Sequence, residues 1–167
     1  TCTVADSRCA RVDGAGRGGR GVRGGGGGRL FGGGLYGDAA PVTDGPRVSP
    51  DGKRVAFRLN NSWDEERRNY RGGQNRPVWI TDLTTLETVT PAWTGSKDMD
   101  PVWLGDRVVF ISDRDGVANL WSCDAQGQDL VQWTRFTDDD VKTVDAGAGV
   151  VVFEQAGLVH EFDPRTK

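Results

Sequence analysis

Between Asp100 and Phe136 the apolar residues fall into short runs separated by sharp turn signals. Pro101 to Leu104 reads as a strand, and Gly105-Asp106 turns it back. Arg107 to Ser112 follows with Val108, Val109, Phe110 and Ile111 in one uninterrupted apolar run. A strand that is apolar at every position is covered on both faces, because one-sided burial gives alternation. Asp113-Arg114-Asp115-Gly116 is the next turn, Asn119 to Asp124 a third strand, and Leu130 to Phe136 a fourth. Aspartate bonds its own backbone in such turns and glycine supplies positive φ. Four short antiparallel strands with two-sided burial describe one blade of a β-propeller.

The same order occurs on either side. Arg47 to Phe57 holds a strand, the Ser49-Pro50-Asp51-Gly52 turn and a second strand; Pro77 to Leu83 and Glu87 to Thr90 complete the set. Val141, Val150 to Phe153 and Leu158 to Phe162 begin another. Phe57, Phe110 and Phe153 close the second strands at intervals of 53 and 43 residues. Trp79, Trp121 and His160 centre the third strands at intervals of 42 and 39. A period of about 40 residues with four strands per unit points to a propeller array rather than a β-sandwich. The expectation is an all-β, partial β-propeller of about three four-stranded antiparallel blades, at about 45–91, 99–136 and 141–167, within an incomplete propeller spanning 41–167. Propellers close with typically four to eight blades, so three imply a fragment of a longer protein, poorly soluble or self-associating when isolated.

Composition divides the chain at the same boundary. Of 25 glycines, more than half lie between Gly14 and Gly37. Residues 1–40 form a Gly/Arg-rich, low-complexity segment with net charge +3, against −6 for the remainder. So much glycine cannot offset its ordering entropy, which predicts disorder. Gly14 to Gly19 matches a G-x-G-x-x-G string, but no apolar strand precedes it and no helix pattern follows, which argues against a dinucleotide site. The Arg-Gly-Gly triplets at Arg17 and Arg23 are compatible with RNA association, although the charge is small and aromatics are scarce. The favoured explanation is a mistranslated or mis-assembled segment, since Arg/Gly/Ala bias is what GC-rich DNA yields in a wrong frame. The acidic body gives no reason to expect nucleic acid. No apolar run approaches ~18 residues and no signal-peptide core is present, so no membrane partner is expected.

Candidate chemistry is sparse. Cys2, Cys9 and Cys123 contain no C-x-x-C pair, and Cys123 reads as a small buried hydrophobe. None of the serines lies in G-x-S-x-G, and Ser49 and Ser112 flank turns. The single histidine, His160, occupies a position that holds tryptophan in the other blades, which marks it as a packing residue. Asp113, Asp115 and Asp138 to Asp140 lack EF-hand spacing and read as turn or solvated residues. The expected catalytic, metal and cofactor sets are therefore all none. The distinctive feature is an insertion between the second and third strands of the first blade, Asn60 to Arg76. It shares a face with the acidic connections holding Asp98, Asp100 and Asp138 to Asp140. The simple account is a solvated loop with surface ion pairs of small energetic weight. The functional account is recognition of a carboxylate by Arg67, Arg68 and Arg71, because guanidinium binds carboxylates bidentately; Trp63 and Tyr70 would pack or contact.

Several segments in order resemble one known family. They are Tyr70-Arg71-Gly72-Gly73, Val78-Trp79-Ile80, Pro101 to Val108, Ser112 to Gly116, Asn119-Leu120, Thr137-Asp138, Phe153-Glu154-Gln155 and Asp163-Pro164. Together they resemble the N-terminal six-bladed β-propeller of tricorn proteases over roughly residues 45–167. The Ser-Pro-Asp-Gly turn is less specific, being shared with TolB-like and prolyl-oligopeptidase-type propellers. The resemblance implies a cytoplasmic serine peptidase, hexameric, acting on short peptides. In such a peptidase the propellers filter or channel substrate, and catalytic domains lie towards the C-terminus. This chain would then lack the catalytic residues. The resemblance also implies that Arg68 and Arg71 hold a substrate's C-terminal carboxylate. The alternative of another class is a non-enzymatic TolB-like propeller that binds protein partners.

Overall fold

The computed structural model describes residues 43–59, 71–73 and 75–166. The Gly/Arg-rich segment, Trp63, Arg67, Arg68 and Tyr70 lie outside the described residues. Within them the chain forms three antiparallel sheets, each a meander in sequence order. The first contains β1 (Thr43–Val48), β2 (Arg54–Leu59), β3 (Trp79–Asp82) and β4 (Thr88–Val89). The second contains β5 (Asp98–Leu104), β6 (Arg107–Ser112), β7 (Asn119–Asp124) and β8 (Val131–Gln132). The third contains β9 (Val141–Gly147), β10 (Val150–Gln155) and β11 (Leu158–Phe162). Helix is absent among the described residues, and the architecture is that of a partial β-propeller.

The middle sheet accounts for the uninterrupted apolar run. Val108 and Phe110 of β6 face one way and pack with Cys123 against Ala56 and Ile80 of the first sheet and Val78 just before β3. Val109 and Ile111 face the other way and pack with Val102 and Leu120 against Val141, Val144, Val151, Phe153 and Phe162 of the third. Every residue of β6 after Arg107 is buried. In β10 the pattern alternates: Val151 and Phe153 are buried and Val152 is exposed. Full burial of a phenylalanine or valine contributes about 1.5–3 kcal/mol each, so the two faces of β6 hold the three sheets together.

The repeat inferred from phenylalanine and tryptophan spacing is a repeat of register. Phe57 pairs with Trp79, Phe110 with Trp121 and Phe153 with His160, each directly across the second and third strands. A second repeat goes with it. Each third strand ends in, or is followed directly by, an aspartate three positions after that residue: Asp82, Asp124 and Asp163. Its carboxylate accepts backbone N–H groups of the following turn, from Thr84 and Thr85, from Gln126 and Gln128, and from Arg165. These bonds hold the Asp82 carboxyl below the ordinary carboxylate range, and the Arg165 side chain and backbone hold Asp163 at about 2.

Several expected strands have different bounds, and two of the differences have a clear local cause. β5 starts at Asp98, three residues before Pro101, because its ladder to β6 continues through a bulge between Met99 and Val102. Pro101 has no N–H to donate and sits inside that bulge, as Pro46 sits inside the equivalent bulge between Asp44 and Arg47. The fourth strand of the middle sheet is two residues rather than Leu130 to Phe136. The Trp133 N–H still donates to the Leu120 carbonyl (2.8 Å), and beyond it side chains take over. The Leu120 N–H donates to Thr134 Oγ1 (2.9 Å), and Asn119 Oδ1 accepts the Phe136 N–H (2.8 Å).

Candidate functional site

The turn between β6 and β7 and the connection from β4 to β5 lie on one rim, where the Asp113 N–H reaches the Lys97 carbonyl. The last part of the insertion, with Arg71 and Asn75, joins them there. Asp113 is the centre of this contact. It closes its own turn by accepting the Gly116 N–H at its carbonyl (2.9 Å), as its sequence context indicates. It is also 4% exposed, and its carboxylate is used twice. Oδ1 accepts the Lys97 backbone N–H at 2.8 Å, and Oδ2 accepts Arg71 Nη1 at 2.8 Å. Arg71 Nη2 donates to the Asp113 carbonyl at 2.7 Å, so the guanidinium grips the residue at two points. Close by, Asn75 Nδ2 donates to the Gly95 carbonyl (2.7 Å), tying the same segment to the β4–β5 connection.

A buried ion pair stands behind this rim. Asp98 is fully buried, and Oδ1 accepts the hydroxyls of Ser112 (2.6 Å) and Ser96 (2.8 Å). Arg114 Nη2 lies 3.2 Å from both carboxylate oxygens. The Arg114 guanidinium also donates to Ser112 Oγ and to the Ala92 carbonyl, each at 3.0 Å. It lies over the rings of Trp121 (4.9 Å) and Phe110 (5.3 Å), where the ring quadrupoles favour a cation. Burial pushes the Asp98 carboxyl up, against the opposing pull of Arg114 and the two serines. The expectation that Asp98 belongs to a solvated acidic connection is thus incorrect. It is a strand residue of β5, and its charge is answered inside the protein.

The other singled-out residues fall as follows. Ser49 is a turn residue: its hydroxyl donates to Asp51 Oδ1 (2.6 Å) and accepts the Arg54 N–H (2.9 Å). Ser112 serves the ion pair. His160 is buried and stacked on Phe153, centroids 5.0 Å apart and 14° from parallel. Cys123 is buried in the core, and burial pushes its thiol up to about 12. Asp140 accepts the Ala118 N–H (2.9 Å), a structural bond. Asp115 accepts from Gln132 Nε2. Among the described residues no cluster of three or more His, Cys, Asp or Glu side chains could hold a metal ion. Of the three candidate arginines, only Arg71 is among the described residues, and its side chain is 40% exposed. Its partner Asp113, 42 positions away in sequence, carried no signal beyond its turn chemistry.

Comparison with known proteins gives one consistent family. Residues 38–167 match the model of the tricorn protease N-terminal beta propeller domain. The tricorn protease of Thermoplasma acidophilum is 32% identical over 136 residues, 76% of this chain and 12% of that protein. A tricorn protease homolog of Saccharolobus solfataricus is 33% identical over 102 residues, 58% of this chain and 9% of that protein. The chain therefore spans about an eighth or less of the length of these relatives. A crystal structure of the tricorn protease superposes with a TM-score of 0.59 at 27% identity, covering 71% of this chain and 11% of that one.

Proposed function

The chain belongs to the tricorn protease N-terminal β-propeller family, and from that premise we propose that it is part of the substrate-gating propeller of a tricorn-like serine peptidase degrading short peptides in the cytoplasm. The observation that carries this reading is the family match, which spans residues 38–167 and so includes all three sheets. Catalysis would reside in other parts of the full-length protein, and assembly would be homo-oligomeric. Within residues 41–167 the role of this chain is selection rather than bond cleavage. The insertion carries it, with Arg67, Arg68 and Arg71 recognising the C-terminal carboxylate of a peptide. A two-point guanidinium contact discriminates a carboxylate from an amide because the amide carries no charge and only one acceptor oxygen.

The test uses the full-length protein. KM is measured for a short peptide with a free C-terminus and for the same peptide amidated. The free acid is expected to show the lower KM, and the triple change Arg67→Ala, Arg68→Ala, Arg71→Ala to erase the difference with kcat on the amide unchanged. Equal KM values for the two peptides would remove the carboxylate reading. Failure of the full-length protein to hydrolyse either would remove the peptidase reading.

A further inference from the structure

The Arg71–Asp113 contact is asymmetric. The Asp113 side chain is 5% exposed, whereas that of Arg71 is 40% exposed. The carboxylate is already fixed from behind by the Lys97 N–H on Oδ1. The residue next to it, Arg114, is anchored on Asp98, Ser112 and the Ala92 carbonyl. So the buried partner determines where the exposed one sits. We propose that Asp113 is a positioning residue. It orients the Arg71 guanidinium on the rim, and through Arg71 it sets the preference for a peptide's free C-terminus. This inference rests on the carboxylate-recognition reading above and adds to it a residue of the turn between β6 and β7.

The physical basis is the conformational freedom of arginine. A free arginine side chain carries substantial rotamer entropy, which a ligand must otherwise overcome when it orders the guanidinium. With Nη1 and Nη2 both held on Asp113, that freedom is lost before a ligand arrives, and preorganised groups bind more tightly. A carboxylate beside the site has a second effect of opposite sign. Its charge opposes an incoming anion, so removing the charge alone would strengthen binding of the free acid. The direction of change on substitution therefore separates a positioning role from a competing one.

The experiment compares wild-type full-length protein with Asp113→Asn, Asp113→Glu, Arg71→Ala and the Asp113→Asn/Arg71→Ala pair. The readout is the ratio of KM for the amidated peptide to KM for the free acid. Asp113→Asn keeps the shape and removes the charge, so Oδ2 no longer pairs with Arg71 as an ion. It is expected to lower the ratio about tenfold, with kcat on the amide unchanged. Asp113→Glu keeps the charge but displaces the fork by one methylene, and is expected to lower the ratio as well. In the Arg71→Ala background, Asp113→Asn should lower the ratio no further. An unchanged ratio with both peptides bound less well would mean a merely structural role and would overturn the proposal. So would a ratio that rises, because Asp113 would then be competing with the ligand. If Asp113→Asn does not fold, an unchanged ratio in Asp113→Glu overturns it alone. A wild-type ratio of one would instead refute carboxylate recognition itself, and this inference with it.

Discussion

Removing one member of the Asp98–Arg114 pair tests the account of the blade junction most directly. In Asp98→Leu the Arg114 guanidinium, whose side chain is 10% exposed, loses its counter-ion. Arginine cannot discard its proton in a protein, so the charge stays buried. Removing one partner of a buried pair costs about 3–5 kcal/mol. Arg114 retains the Ala92 carbonyl and two ring faces, which places the expected cost at the low end of that range, about 3 kcal/mol, or roughly a hundredfold in the folding equilibrium. Arg114→Met should be milder. The remaining Asp98 carboxyl, already pushed up by burial, can neutralise itself by taking a proton. A carboxyl raised in the folded state stabilises fully below its unfolded value, and that contribution is lost as pH rises through the folded value. Arg114→Met is therefore expected to be more stable at pH 5 than at pH 8 relative to wild type. The double change Asp98→Leu/Arg114→Met removes both charges and should be less destabilised than Asp98→Leu alone. Urea unfolding followed by tryptophan fluorescence reads all four proteins, since Trp121 lies against the pair. A cost below about 1 kcal/mol for Asp98→Leu, or a strictly additive double variant, would refute the reasoning.

Three further outcomes follow from the geometry. The Cys123 thiol, pushed up to about 12, holds its proton in the folded state long after the unfolded chain has released it. Stability should thus fall by about 1.4 kcal/mol per pH unit from about pH 9 towards pH 12, and Cys123→Ala should lack that fall in pH-dependent urea melts. Gly127 and Gly52 both have positive φ (74° and 71°), but a Cβ on Gly127 would stand 2.7 Å from the Thr90 carbonyl oxygen while one on Gly52 meets nothing within 4 Å. Gly52→Ala should cost about 1–2 kcal/mol and Gly127→Ala a further 1–3 kcal/mol, and equal melting temperatures would contradict this. Phe153→Ala should cost about 3–5 kcal/mol because the ring is 2% exposed and stacked on His160; the registered equivalent Phe57→Ala, only half-buried, should cost less, and the reverse order in a denaturant titration would count against the packing described.

Much of the fold was legible because it rests on local chemistry repeated in register. Val108 to Ile111 announced two-sided burial, and the intervals from Phe57 to Phe110 to Phe153 announced the repeat. The aspartates three positions after Trp79, Trp121 and His160 were equally available in the sequence, but single aspartates near turns attract no notice until their register is known. What was not legible depends on partners distant in sequence. Thr134 and Asn119 replace ladder bonds with side-chain bonds, so a run that looks like strand as far as Phe136 ends at Gln132. Asp98 reads as one more acid in a polar connection, and only the approach of Arg114 turns it into a core residue. Arg71 was identified by charge type, whereas the acid that orients it was assigned to turn formation alone.

The double use of Asp113 explains why the site was only half visible. Its carbonyl and position serve the β6–β7 turn, and aspartate at the head of such a turn needs no other justification. Its carboxylate is not required for that turn. It points instead to Lys97 and Arg71, from the connection before the sheet and from the last part of the insertion. The sheet beneath it has every residue of β6 after Arg107 buried, with core on both faces, whereas β2 in the first sheet alternates buried with half-buried positions. Rigidity follows packing, since closely packed side chains have few alternative rotamers. The segment leaving the first sheet's insertion is therefore tied across a sheet boundary to the more enclosed neighbour. Attached only to its own blade, Arg71 would inherit the looser packing of β2. Attached to Asp113, it inherits the constraint of the Asp98–Arg114 pair, so a buried charge that adds little to stability as a pair still fixes the geometry of an exposed one.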